Sequence, residues 1–201
     1  MGIIQKSTHF TRKFSSTSAI SLIETVWEQP VLAANGTLGS NEELAVESSS
    51  EYGSYSAFKA FDNTTSTIWA FASGVSTGTL IMYTVKPTRV SYYSITNHPA
   101  TASSHYFSIP RTGAVYGSND NSTWTKLCDW SSEADYSATW TLTVGSHDFY
   151  NYHKLEVTSS NRNYCSGANE ISINATYLSS GQPAWWGAWA AQNEHKWAIK
   201  Y

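Results

Sequence analysis

Through the middle of the chain, apolar and polar residues alternate with a period of two, in stretches separated by clusters of Gly, Pro, Asn and Ser. A period of two puts successive side chains on opposite faces of a strand, so the pattern predicts strands over 79–85, 90–96, 112–117, 123–129, 138–144, 149–157 and 169–177. Ile171, Ile173 and Ala175 then share one face of the last strand, and His153, Leu155 and Val157 share one face of the strand before it. Short strands at these intervals, with no internal repeat, predict an all-β fold: an antiparallel β-sandwich or jelly roll.

The ends break the pattern and divide the chain into three. Residues 1–29 read as an N-terminal arm, with a basic, Ser/Thr-rich stretch from Lys6 to Ser18 followed by Ala19, Ile20, Leu22, Ile23, Val26 and Trp27 at partial helical spacing. Residues 30–178 carry the sandwich. Residues 179–201 form a Trp-rich tail that opens on the breaker Ser179-Ser180-Gly181-Gln182-Pro183 and holds four of the nine tryptophans, Trp185, Trp186, Trp189 and Trp197. An exposed patch of that size needs a cover, which is either the chain's own sandwich or a neighbouring subunit. No stretch approaches the roughly 20 apolar residues of a membrane span, and Met1 to Trp27 lacks the apolar core of a signal peptide. Neither membrane insertion nor secretion by its own signal is expected.

Composition narrows the function. Only 13% of residues are charged, against about a quarter in average domains, and the net charge of -3 offers no field for nucleic acid. Cys128 and Cys165 are expected as two separate buried thiols, although spacing alone does not decide whether they pair. The sites Asn35, Asn63, Asn121 and Asn174 match the N-glycosylation pattern, as chance predicts in so Ser/Thr-rich a chain. Gly74-Val75-Ser76-Thr77-Gly78 has the spacing of a nucleophile elbow, but a strand pattern follows where that chemistry needs a helix. His147 and Asp148 are adjacent, and adjacent strand residues face opposite ways. No His-Glu-x-x-His, Cys-x-x-Cys or phosphate-binding Gly loop occurs. These absences point to a binding protein and not an enzyme.

Two stretches carry the most information. Ala60-Phe61-Asp62-Asn63-Thr64-Thr65-Ser66-Thr67-Ile68-Trp69 and Tyr116-Gly117-Ser118-Asn119-Asp120-Asn121-Ser122-Thr123-Trp124-Thr125 are each a hydrogen-bonding turn that hands over to strand-forming Thr and Trp. The pair resembles the signature stretches of the discoidin domain, also called the coagulation-factor type C domain, and of its galactose-binding-like relatives among carbohydrate-binding modules. Val90 to Thr96, Tyr152 to Thr158 and Asn169 to Ile173 resemble three further elements of that family, in its order, so the likeness spans roughly 30–178. The family's terminus-to-terminus disulfide has no counterpart.

The resemblance implies two sites. A structural calcium would use Asp62, Thr67, Glu170 and carbonyls from residues 59–65, a set of hard oxygens of the kind calcium takes; here Asn63 stands where the family usually has Gly. A sugar would lie against the loops at one end, where Asn97, His98, His105, Tyr106 and Arg111 follow one strand and Arg162 and Tyr164 follow another, though the galactose binders' Arg and Asn spacing is absent. A sandwich with an arm at each end also resembles accessory proteins of bacteriophage particles. The function expected is a non-enzymatic virion structural or adhesion subunit of a tail, baseplate or capsid, in an oligomeric assembly with other virion subunits and with host-surface glycan as a further partner. The alternative is an extracellular lectin or a carbohydrate-binding module of a secreted glycoside hydrolase.

Overall fold

A computed structural model describes residues 22–99 and 107–180; residues 24–179 form one compact unit. Eleven strands follow in order: β1 (Leu22–Trp27), β2 (Leu44–Ser48), β3 (Trp69–Ala70), β4 (Gly78–Thr96), β5 (Phe107–Ser108), β6 (Pro110–Ser118), β7 (Thr125–Ser131), β8 (Thr139–Thr143), β9 (Tyr150–Ser160), β10 (Cys165–Ala168) and β11 (Glu170–Ser180). A single 3-10 turn, Ala57–Ala60, sits between β2 and β3.

β4 organises the molecule. The sequence predicts two strands, 79–85 and 90–96, but the chain runs through both as one strand of 19 residues. Its first part pairs with β2 on one side and β9 on the other, and its second part pairs with β8 and β11. The pairing with β9 becomes irregular between Tyr83 and Thr88, around Lys86-Pro87, where proline cannot donate to a ladder. This bend lets one strand serve both layers, β2-β4-β9-β6-β7 in one and β8-β4-β11-β1 in the other. A bulge opposite Asn174/Ala175 then inserts Ser91. The inward positions change there from Leu80, Met82, Thr84, Thr88 and Val90 to Tyr93, Ile95 and Asn97, because one extra residue reverses every following side chain.

Between the layers lies one apolar core, with Leu80, Met82, Val115, Leu155 and Val157 from the first layer and Val90, Tyr93, Ile95, Leu142, Ile171 and Ile173 from the second. Trp69, Phe61 and Phe71 close it, the Trp69 and Phe71 rings meeting edge to face at 5.0 Å. The shared faces expected for β9 and β11 are present: His153, Leu155, Val157, Ile171, Ile173 and Ala175 are all buried.

Besides β4, five strands fall outside the sequence expectation. Leu22 to Trp27, given helical spacing and assigned to the arm, is a strand beside β11, tied by a 2.7 Å hydroxyl contact between Thr25 and Ser179. β2 escapes the alternation rule because Leu44, Ala45 and Val46 are all buried. β3, β5 and β10 are too short for a period to register, and form a small sheet in which β10 runs antiparallel to β3 and parallel to β5. Cys128 lies half-buried in β7 and Cys165 buried in β10, both as free thiols.

The second signature stretch is the β6–β7 hairpin tip. Asp120 Oδ1 accepts from the Ser122 and Thr123 backbone N–H groups and from the Ser118 hydroxyl, and these donors hold the carboxyl below its usual range. Asn121 adopts a φ of 57°, which Asn tolerates better than most residues. Beyond the tip, the Lys154 ammonium lies 4.4 Å from the ring centres of both Tyr116 and Trp124.

Candidate functional site

At one end of the sandwich β4 leaves at Thr96, β6 enters at Pro110, β9 leaves at Ser160 and β11 enters at Glu170. The loops between them are laced by backbone bonds: Asn97 to the Ala138 carbonyl, Ser132 to Arg111 and Asn161 to Ile109. Several residues expected to meet sugar are used up in this lacing. Asn97 is 1% exposed; its Nδ2 donates to the Ala134 and Asp135 carbonyls and its Oδ1 accepts from Trp140 Nε1. His98 is buried between the Phe107 and Tyr136 rings at 5.5 and 5.1 Å, and burial lowers its pKa. Arg111 donates to the Ser132 and Ala134 carbonyls. These three side chains therefore hold the 132–138 loop in place. Arg162 and Tyr164 are exposed, and His105 and Tyr106 lie outside the described residues.

What the sequence did not single out is an aromatic group beside them. Tyr52 and Tyr55 stack with ring centres 5.7 Å apart and 3° between planes, and Phe107 meets Tyr55 edge-on at 4.9 Å. Backbone bonds fix this turn on β3, since Tyr52 N–H donates to the Ala70 carbonyl and Ala70 N–H to that of Tyr55. Tyr52 is 36% exposed and Tyr164 is 45% exposed, and the Tyr164 carbonyl accepts from the Ser108 hydroxyl next to Phe107. The available signal was Tyr52-Gly53-Ser54-Tyr55, two aromatics flanking a Gly-Ser turn.

The Asp62 loop follows the 3-10 turn. Asp62 Oδ1 accepts from Thr64 N–H at 3.1 Å, and Asn63 takes the left-handed φ of 57° that Gly would take freely. Around the Thr67 hydroxyl gather Asp62 Oδ2 at 2.7 Å and the carbonyls of Lys59 and Thr64, each at 3.4 Å. One hydroxyl proton cannot serve three acceptors, so the loop is rich in oxygen and poor in donors. From the other side Glu170 enters. Burial, and then the charge of Asp62, push it up to about 7, against the Asn63 and Thr64 amides that pull it down. Glu170 Oε2 and Asn169 Oδ1 are both buried and accept no hydrogen bond. Among the described residues no three His, Cys, Asp or Glu gather as a metal cluster, so a cation here would draw on two carboxylates and neutral oxygens. That donor set fits calcium.

No protein-family model and no curated protein matches the chain. Solved structures do. The family 32 carbohydrate-binding module of Clostridium perfringens NanJ, in complex with galactose, is 19% identical, covering 66% of this chain and 93% of that one at a TM-score of 0.55. CBM32-3 from a family 31 glycoside hydrolase of Clostridium perfringens is 15% identical, covering 68% and 92% at 0.55. The F5/8 type C domain of a Bacteroides fragilis protein is 13% identical, covering 67% and 91% at 0.51. At such identities the likeness is one of fold: this is a discoidin-like, galactose-binding-like β-sandwich.

Proposed function

We propose that the sandwich is a non-catalytic glycan-binding module whose ligand surface is the loop end bearing Tyr52, Tyr55, Arg162 and Tyr164. One observation carries the reading: rigid, partly exposed aromatic rings beside polar loops, at one end of a fold shared with carbohydrate-binding modules. Aromatic faces stack on the C–H face of a sugar ring, and the fixed turn on β3 lowers the ordering cost of binding. Glycan-array binding followed by calorimetry tests it. Tyr52→Ala and Tyr164→Ala are expected to weaken binding by about tenfold each, about 1.4 kcal/mol, with the fold intact. A chain that retains no glycan defeats the reading, and one whose binding survives both substitutions places the ligand elsewhere.

Calcium is the structural ion proposed for the Asp62 loop, held by Asp62 and Glu170 with Thr67 and the carbonyls of Lys59 and Thr64. When bound it would supply positive charge that ties this loop to the start of β11.

A second reading, of a virion subunit, is favoured by the sequence outside the described residues. Residues 1–21 and 181–201 hold five Lys and Arg against one Glu, and also hold Trp185, Trp186, Trp189 and Trp197. In this reading the ends dock to neighbouring subunits and the sandwich faces outward toward host glycan. Removing 182–201 should then leave the β-sheet circular-dichroism spectrum intact and abolish assembly. A truncated chain with unchanged oligomeric mass would overturn it.

A further inference from the structure

The orphaned amide oxygen at the head of β11 has a use. We infer that Asn169 is a further oxygen ligand of the cation at the Asp62 loop, an inference that rests on the calcium reading above. Asn169 sits at a bend between β10 and β11, which belong to different sheets, so the alternation that would turn it away from Glu170 is broken there. Both side chains reach the same loop. Asn169 Nδ2 donates to the Thr65 carbonyl, while Glu170 meets the charge of Asp62 and the amides of Asn63 and Thr64.

Asn169 is held at two points and is 2% exposed, its backbone N–H donating to the Thr96 carbonyl at 2.9 Å. Because Nδ2 is committed to a carbonyl, the amide cannot flip; flipping would set oxygen against oxygen. Its Oδ1 is therefore fixed as a buried acceptor without a donor, as is the neighbouring Glu170 Oε2. Two such atoms, on consecutive residues whose side chains reach the same loop, are unfavourable unless positive charge is supplied there. A neutral amide oxygen also raises the ligand number without a third negative charge, and calcium takes six to eight oxygens of which few need be ionised.

Titration calorimetry with calcium chloride, together with melting in calcium and in chelator, tests the inference on the full chain, on Asn169→Ala and on Asn169→Asp. The alanine variant loses both the oxygen and the clamp on Thr65, and should bind calcium on the order of tenfold more weakly. The aspartate variant keeps an oxygen and loses only the N–H donor, so it should bind at least as tightly as the unsubstituted chain and gain more in melting temperature from calcium. If both variants weaken alike, Asn169 only positions the loop and is not a ligand. If the alanine variant binds like the parent, it has no part in the site. A parent chain indifferent to calcium overturns the calcium reading itself, and this inference with it.

Discussion

Replacing His153 with Gln should flatten the acid limb of the stability curve. His153 is fully buried, its Nε2 2.9 Å from the Thr88 hydroxyl, and burial, then the nearby positive charge of His147, pull its pKa down to about 3. The unfolded chain takes up a proton on this ring near pH 6.5 while the folded chain does not, so stability is fully present above that value and falls as the pH drops toward about 3. The slope is about 1.4 kcal/mol per pH unit, so a shift to pH 4.5 costs on the order of 2 to 3 kcal/mol, or several degrees in Tm. Glu170, raised in the fold, acts with the opposite sign between its ordinary value and about 7, which makes the difference between the two proteins the diagnostic quantity. Urea titrations of both from pH 7.5 to about 4.5 measure it. Parallel curves would show that His153 is not the proton-linked group.

A large loss from one added methyl group is expected at Gly167. A Cβ there would stand 1.9 Å from the Trp69 carbonyl oxygen and 2.8 Å from the Ala70 Cα, because β10 lies directly against β3. Backbone atoms cannot swing aside as a flexible side chain can, so Gly167→Ala must displace a strand, at a cost of roughly 3 kcal/mol or more. Gly74→Ala provides the contrast: its φ of 76° is awkward for a side chain but its surroundings are open, so the cost should be about 1 kcal/mol. Since Ala70 anchors Tyr52 and Tyr55, the Gly167 variant should also lose the glycan binding proposed for that turn in any fraction that remains folded. Equal urea midpoints for the two variants would contradict this account.

The strand pattern was legible wherever one face is dry and the other wet, as in β9 and β11. It failed where both faces are covered, as at Leu44 to Val46, and where a strand is two residues long. The join within β4 was hidden because Lys86-Pro87 looks like a terminator, and only the pairing with β9 and β11 shows the chain carrying through. The Asp62 turn was visible because Asp and Asn act on their own local backbone. The roles of Asn97 and Arg111 were not, because their partners lie 21 to 43 residues away and no local spacing encodes them. The Tyr52–Tyr55 pair was overlooked for the same reason, since Phe107 and Ala70 give it meaning only in three dimensions.

That one strand threads both layers also bears on how the protein comes to exist at all. Each layer needs half of β4, and its first residue Gly78 finds Val157 only after most of the chain has been made. Pairings so distant in sequence close large loops before they return any stabilisation, which slows folding. A nascent chain released before β9 would therefore hold β2 and half of β4 with an uncovered flank, a state in which bare strand edges invite aggregation. Synthesis through β9 covers that flank, and β11 then completes the second layer.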